Sequence, residues 1–360
     1  MTTNITLDTS FIVSQNFLCG TLINEYGKKS KDKTIKVFIT DITYREVLSQ
    51  FRQKLTKANE GIKKPKNLLE GQAKILRNFG HMKGYFTLPE VDVSKLFEEF
   101  EHDFDNFLKD NRIIIIPTDH LSIGRVFNDY FSTKPPFGTG DKKHEFPDAF
   151  STLATEEFFK TRTEKTYLIT SDNGLATIES SVITMSNEPE QILDQLIRLD
   201  KEIKTKQSIE FIEGLFVKKK EKLAAELKEE IYRILEDEVG SGGGRYDLEI
   251  EDVDYIDLGD IRIDNHSIIH IDKNKAKLQL EISFGVDISI TASDLNSGFY
   301  DKEDNKWLFV EQKELRVSKD TINSNAILSI DFHPAAGQEY ADFEIDSVNE
   351  GKDFDILRDA

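Results

Sequence analysis

Ile5-Thr6-Leu7-Asp8-Thr9-Ser10 decides how the first half of this chain is read. A short apolar run closes on Asp-Thr-Ser, the signature of a buried strand that stops at a turn or helix cap. Comparable runs recur at Lys36–Ile39, Ile113–Ile116, Tyr167–Ile169 and Ser181–Thr184, each bounded by polar or turn residues. Helical patterns lie between them: Phe11 to about Tyr26, Thr43–Leu55, Leu68–Phe79, Val93–Lys109 and Asp148–Lys160. Short apolar strands alternating with helices predict an α/β fold over residues 1–187, a three-layer α/β/α domain around a parallel sheet.

The periodicity then changes twice. Over 188–240 the spacing of Ile192, Leu193, Leu196 and Ile197, and of Leu223, Leu227, Ile231 and Leu235, predicts a helical connector. It ends at the linker Gly240-Ser241-Gly242-Gly243-Gly244. Beyond it, Leu278, Leu280, Ile282, Phe284, Val286, Ile288 and Ile290 share one parity. Strict alternation predicts antiparallel strands with one buried face, so 241–349 reads as an all-β sandwich or barrel. Residues 350–360 form an acidic tail.

The charge is divided unevenly along the 360 residues. The net −19 splits into −3 over residues 1–200 (26 basic, 29 acidic) and −16 over 201–360 (21 basic, 37 acidic). An acidic whole therefore does not exclude a nucleic-acid partner for the first half. The single cysteine, Cys19, excludes an intramolecular disulfide and a Cys-rich zinc site. No apolar stretch reaches the roughly 20 residues of a membrane helix, and no basic-then-apolar leader opens the sequence; the expectation is a cytoplasmic protein without a membrane partner.

Four acids fall at comparable places in the α/β pattern. Asp8 ends the first strand, Glu46 lies near the start of the helix after the second, Asp148 opens a helix behind Pro147, and Asp172 follows the fourth strand in Ser171-Asp172-Asn173-Gly174. In an open parallel sheet, strand C-termini and the helix starts that follow share one edge, where ligands bind. Taken singly, each acid has a plainer explanation as a cap or turn former. Together, like charges at one edge need a cation, and hard carboxylate oxygens select Mg²⁺ or Mn²⁺.

This arrangement resembles the PIN-domain nucleases. The likeness covers about residues 4–187 and rests on Leu7-Asp8-Thr9-Ser10, Glu46, Asp148 and the Ser-Asp-Asn-Gly turn. The run Lys134-Pro135-Pro136-Phe137-Gly138, followed by Glu145-Phe146-Pro147-Asp148-Ala149, is similar to a bacterial subfamily of larger multidomain PIN-like proteins. The resemblance implies metal-dependent phosphodiester hydrolysis, with Asp8, Glu46, Asp148 and Asp172 as catalytic metal ligands. Ser10 and Asn173 would orient those carboxylates, and Asp141 would be a further ligand. It implies a 5′-phosphate and a 3′-hydroxyl as product ends. A growth-control toxin or an anti-phage effector is the biological setting it suggests.

For the substrate, Lys63 and Lys64 belong to a basic segment spanning Lys54–Lys66 around Gly61 and Pro65, read as lying between two helices. Lys134, Lys142 and Lys143 stand beside the proposed edge and would neutralise backbone phosphates. Tyr44, Phe137 and Phe146 are the aromatic candidates for base stacking. The expected partner is nucleic acid, RNA ahead of DNA. The acidic β-domain is expected to contact a protein, and a homo-oligomer stays open. The competing reading is a non-catalytic RNA- or protein-binding scaffold. A haloacid-dehalogenase-like phosphatase is disfavoured, because its second Asp would stand where Ser10 does.

Overall fold

The computed structural model describes residues 3–70, 75, 91–119, 121–137, 145–176, 178–199, 203–241, 248–272, 274–301, 306–332 and 341–359. The chain divides into two compact units, Met1–Pro189 and Glu190–Ala360.

In the first unit, β1 (Thr3–Leu7), β2 (Ile35–Thr40), β3 (Ile114–Ile116), β4 (Thr166–Ile169) and β5 (Thr184–Ser186) form one parallel sheet in the order β3-β2-β1-β4-β5. Its central strands are buried on both faces, Ile5 and Leu7 on one side of β1 and Asn4 and Thr6 on the other, with Val37, Phe38, Leu168 and Ile169 beside them, as a sheet covered on two sides requires. The covering helices are α1 (Thr9–Ser14), α2 (Thr21–Lys31), α3 (Asp41–Glu70), α4 (Val93–Asp110), α5 (Ile123–Phe131), α6 (Phe146–Phe159) and α7 (Asn173–Ala176). The three-layer α/β/α expectation therefore holds.

Local details differ from the sequence reading for identifiable reasons. The helix expected from Phe11 to Tyr26 is split into α1 and α2, because Asn16 and Phe17 take left-handed backbone conformations at φ 46° and 61°. The fifth strand starts at Thr184 rather than Ser181. The basic segment is not a loop between helices: α3 runs on through Gly61 and Pro65 to Glu70. A proline displaces the carbonyl four residues earlier, and here that residue is Gly61, the least restricted backbone available. Among the described residues, a Cβ added at Gly61 would meet nothing within 4 Å. Helix α5 carried no strong local signal and was not anticipated.

The second unit contains α8 (Pro189–Arg198, opening at the boundary) and α9 (Ile203–Gly240), together with β6 (Leu248–Leu258), β7 (Arg262–Ile271), β8 (Lys275–Asp294), β9 (Phe299–Asp301), β10 (Lys306–Leu308), β11 (Glu311–Asp331) and β12 (Glu344–Val348). The large sheet is antiparallel, ordered β12-β11-β8-β6, with β7 also paired to β8. The long β8 accommodates both strands on one side: β7 pairs with its first half and β6 with its second, and Gly259 N–H closes the junction on Gly285 O at 2.9 Å. The alternating set Leu278 to Ile290 is buried, matching the predicted parity. The layer packed on β6, β7 and β12 is helix α9, with Leu223, Leu227, Ile231, Leu235 and Val239 four residues apart and buried; among the described residues it takes the place of the second sheet of a sandwich. Among the described residues, no helix is long and apolar enough to cross a membrane.

Candidate metal centre at the sheet edge

The order of the parallel sheet reverses beside β1, because β2 follows on one side and β4 flanks the other. Ligand crevices open at the carboxyl ends of such neighbouring strands. Asp8 stands immediately after β1 and Thr170 immediately after β4, so the candidate site is a consequence of strand order.

Asp8 is 5% exposed and caps α1. Its Oδ2 accepts from Ser10 N–H at 3.1 Å, Ser10 Oγ at 2.6 Å and Thr170 Oγ1 at 3.1 Å. All three bonds fall on one oxygen, leaving Oδ1 as the atom they do not engage. Ser10 Oγ also accepts from Ser171 N–H at 2.9 Å, and Thr170 Oγ1 accepts from Asp172 N–H at 3.0 Å, which ties the loop after β4 to the start of α1. Ser10 thus touches both the Asp8 carboxylate and the loop after β4.

Glu46 sits on α3, where its Oε2 accepts from Thr9 Oγ1 at 2.7 Å. Burial holds its carboxyl above the usual range; the Thr9 bond opposes this and the neighbouring Asp8 charge adds to it. Asp148 lies in the first turn of α6, behind Pro147 at a position where a ring without an N–H loses no helix bond. Its carboxyl is pushed up to about 8, first by burial and then by the charges of Asp8, Glu46 and Glu145, with a side-chain hydrogen bond to Glu145. Three of the four acids named from sequence therefore act on one another.

Asp172 is at the same edge but outside that cluster. It is exposed, its Oδ1 caps α7 by accepting from Leu175 N–H at 2.9 Å, and it is not among the charges acting on Glu46 or Asp148. The Asn173 amide oxygen accepts from Asn187 Nδ2 at 2.8 Å. Lys63 is exposed on α3; the side chain of Lys64, and Asp141, Lys142 and Lys143 entirely, lie outside the described residues. Lys134 is exposed and 3.7 Å from Asp129.

The aromatic expectations shift as well. Phe137 is 3% exposed and belongs to the core, so it is not a stacking surface. Phe146 packs on that core, and Tyr44 lies parallel to Phe104 at 5.5 Å while donating to Asp105 at 2.9 Å. Sequence reasoning missed Glu145, three residues before Asp148 at the N-cap of α6, and the hydroxyls of Thr9 and Thr170. The i, i+3 spacing of the two acids was the available signal for Glu145.

A metal ion fits this donor set in kind. The ligating atoms are carboxylate oxygens, they repel one another, and no described ion pair neutralises Asp8, Glu46 or Asp148. Thr152, one turn after Asp148 on the same side of α6, is buried with a hydroxyl that has no partner. Among the described residues, however, no three His, Cys, Asp or Glu side chains stand in a ready metal-holding arrangement.

An α/β domain with acids meeting at the switch point of a parallel sheet is the architecture of a nuclease-like fold. The family model described as PIN domain matches residues 5–175, just under half of the chain, and supports a PIN-domain family for that segment. Such domains are commonly metal-dependent RNA nucleases, bind nucleic acid and typically use Mg²⁺ or Mn²⁺. No curated protein and no solved structure matches the chain.

Proposed function

We propose that the first unit is a metal-dependent nuclease that hydrolyses phosphodiester bonds, with RNA favoured over DNA. The observation that carries the reading is the gathering of Asp8, Glu46 and Asp148 at the sheet's switch point, where burial first and then the neighbouring acidic charges push the Asp148 carboxyl up to about 8. Asp8, Glu46 and Asp148 would hold the divalent ion, with Asp172 joining from the loop after β4. When bound, that ion supplies Lewis-acid polarisation of the phosphate and acidifies a coordinated water.

The chain's own residues prepare the site. Ser10 and Thr170 fix Asp8 through Oδ2, and Thr9 fixes Glu46 through Oε2, so the remaining carboxylate oxygens are pre-oriented. A side-chain hydrogen bond with Glu145 helps to hold the Asp148 carboxyl up. The cellular setting we infer, a growth-control toxin or an anti-phage effector in the cytoplasm, rests on family likeness alone. A protein partner for the acidic second unit rests on its charge.

The exposed position of Asp172 favours a second reading, a binding scaffold without catalysis. One experiment separates them: the full chain is incubated with single-stranded RNA and DNA, with Mn²⁺ or with EDTA, beside Asp148→Asn. Mn²⁺-dependent cleavage lost in the variant supports the enzyme; binding without cleavage supports the scaffold.

A further inference from the structure

Among the described residues, three buried side-chain atoms have no hydrogen-bond partner: Asn4 Oδ1, Thr6 Oγ1 and Thr152 Oγ1. Their residues are 0%, 2% and 7% exposed. A buried polar atom without a partner is costly, so three of them call for a common cause.

All three fall in one layer. Thr6 is in register with Phe38 on β2 and Leu168 on β4, and in-register neighbours project from the same face of a parallel sheet. Phe38 and Leu168 share one core with Ala149, Leu153, Ala154 and Phe159 of α6, so Thr6 and, two residues before it, Asn4 lie on the face that α6 covers. On α6, Asp148, Ser151, Thr152 and Thr155 follow at helical spacing and form a polar stripe. Ser151 Oγ shares a hydrogen bond with Thr40 Oγ1 at 3.0 Å, and Thr155 Oγ1 donates to Ser151 O at 2.8 Å. The Thr152 hydroxyl is left over.

The levels agree as well. Helix α6 starts at the carboxyl edge, where Asp148 feels the Asp8 charge, and leads to β4, whose start pairs with Asn4 at the opposite edge. Descending from the acids, β1 drops about 6.6 Å between Asp8 and Thr6, and α6 about 6 Å between Asp148 and Thr152. Thr6 and Thr152 therefore stand one step below the acids, on opposite sides of the same seam, and Asn4 marks its lower end. Hydroxyls that can donate and accept, with an amide oxygen further down, are the lining that internal water takes. Phe38 and Leu168 beside Thr6 carry no charge, which suits a neutral molecule.

We propose that Thr6 and Thr152 bind an internal water molecule that ties α6 to β1 beneath Asp8 and Asp148. The bridge accounts for a helix that buries polar side chains against a sheet, and it sets the height of Asp148 against Asp8. It goes beyond the nuclease reading and stands whether or not this edge cuts nucleic acid.

The test is native-state hydrogen exchange of the full chain, read on peptides from β1 and α6, for Thr6→Val, Thr152→Val, the double variant and Thr152→Ser. Valine keeps the shape of threonine and removes the hydroxyl. Each single valine leaves the water short of a bond and is expected to raise the opening constant roughly tenfold, whereas Thr152→Ser stays near wild type. The double variant is expected to open far less than the product of the singles, about a hundredfold, because no partner remains to be orphaned. Valines that leave opening unchanged or slow it would mark two hydroxyls without a ligand and overturn the proposal. So would wild-type opening that depends on potassium against choline chloride while the double variant does not, the sign of a bound cation. A crystal structure of the wild type is expected to show one density peak within hydrogen-bond distance of both hydroxyls. The absence of that peak, or the two hydroxyls bonded directly to each other, would overturn the proposal even if a valine variant failed to fold.

Discussion

The acids of the two units meet opposite fates. In the second unit they are paired: Asp287 with Arg316 at 2.7 Å, Asp294 with Lys313 at 2.6 Å, Asp346 with Lys277 at 2.6 Å and Asp342 with Lys222 at 2.5 Å. These pairs are on the surface and contribute little each. In the first unit Asp8, Glu46 and Asp148 are drawn towards one edge with hydroxyls, an amide and one another for neighbours. The same residue types thus meet basic partners at these sheet positions, whereas no described ion pair reaches Asp8, Glu46 or Asp148 at the crevice. Acids gathered without basic partners hold on to a proton, as the raised Asp148 carboxyl shows.

Four experiments break or sharpen that contrast. The largest effect is expected from Asp8→Asn, which should lower Mn²⁺-dependent cleavage of single-stranded RNA by about 10²–10³-fold while far-UV circular dichroism is unchanged. Retained activity would place the chemistry elsewhere. Ser10→Ala removes the 2.6 Å bond that orients Asp8 and is expected to weaken Mn²⁺ binding about 10–100-fold by calorimetry.

Gly285→Ala acts on the other unit. An added Cβ would stand 2.9 Å from Asp320 O, where β11 shifts register against β8, so a loss of about 1–3 kcal/mol is expected. Emission of Trp307, the chain's single tryptophan, followed in urea would report it. If RNA cleavage fell in step with that transition, the two units would not be energetically separate.

The smallest effect concerns Glu238, a 2%-exposed acid on α9 whose Oε2 and Oε1 accept from Phe354 and Ile356 N–H at 2.7 and 2.6 Å. Burial raises its carboxyl above the usual range, opposed by those two bonds and reinforced by Asp353 and Asp355. The folded state then holds more proton than the unfolded one between the ordinary and the raised value. Stability is full below that window and declines as pH rises through it. Glu238→Gln is expected to flatten that slope, a difference on the order of 1 kcal/mol in urea titrations from pH 4 upward.

Much of the fold was legible because its signals are local. Ile5–Leu7 and Tyr167–Ile169 announce buried strands by composition, and the parity of Leu278 to Ile290 announces an antiparallel face. Gly61 and Pro65 misled, since punctuation within a helix depends on whether its surroundings tolerate it. Asp8, Glu46 and Asp148 could be named as candidates from their places at strand ends and helix starts.

The sequence by itself determined the alternation of strand and helix, the change of period after the glycine linker, and the placing of acids at element ends, because each is set by neighbours within a turn or two of chain. Only the tertiary structure decided that Asp148 shares its field with Asp8 and Glu46 while Asp172 turns outward to cap α7, and that α5 leaves Phe127 and Phe131 in water. Charge coupling and exposure depend on segments more than a hundred residues apart meeting in space, and no local pattern encodes that meeting.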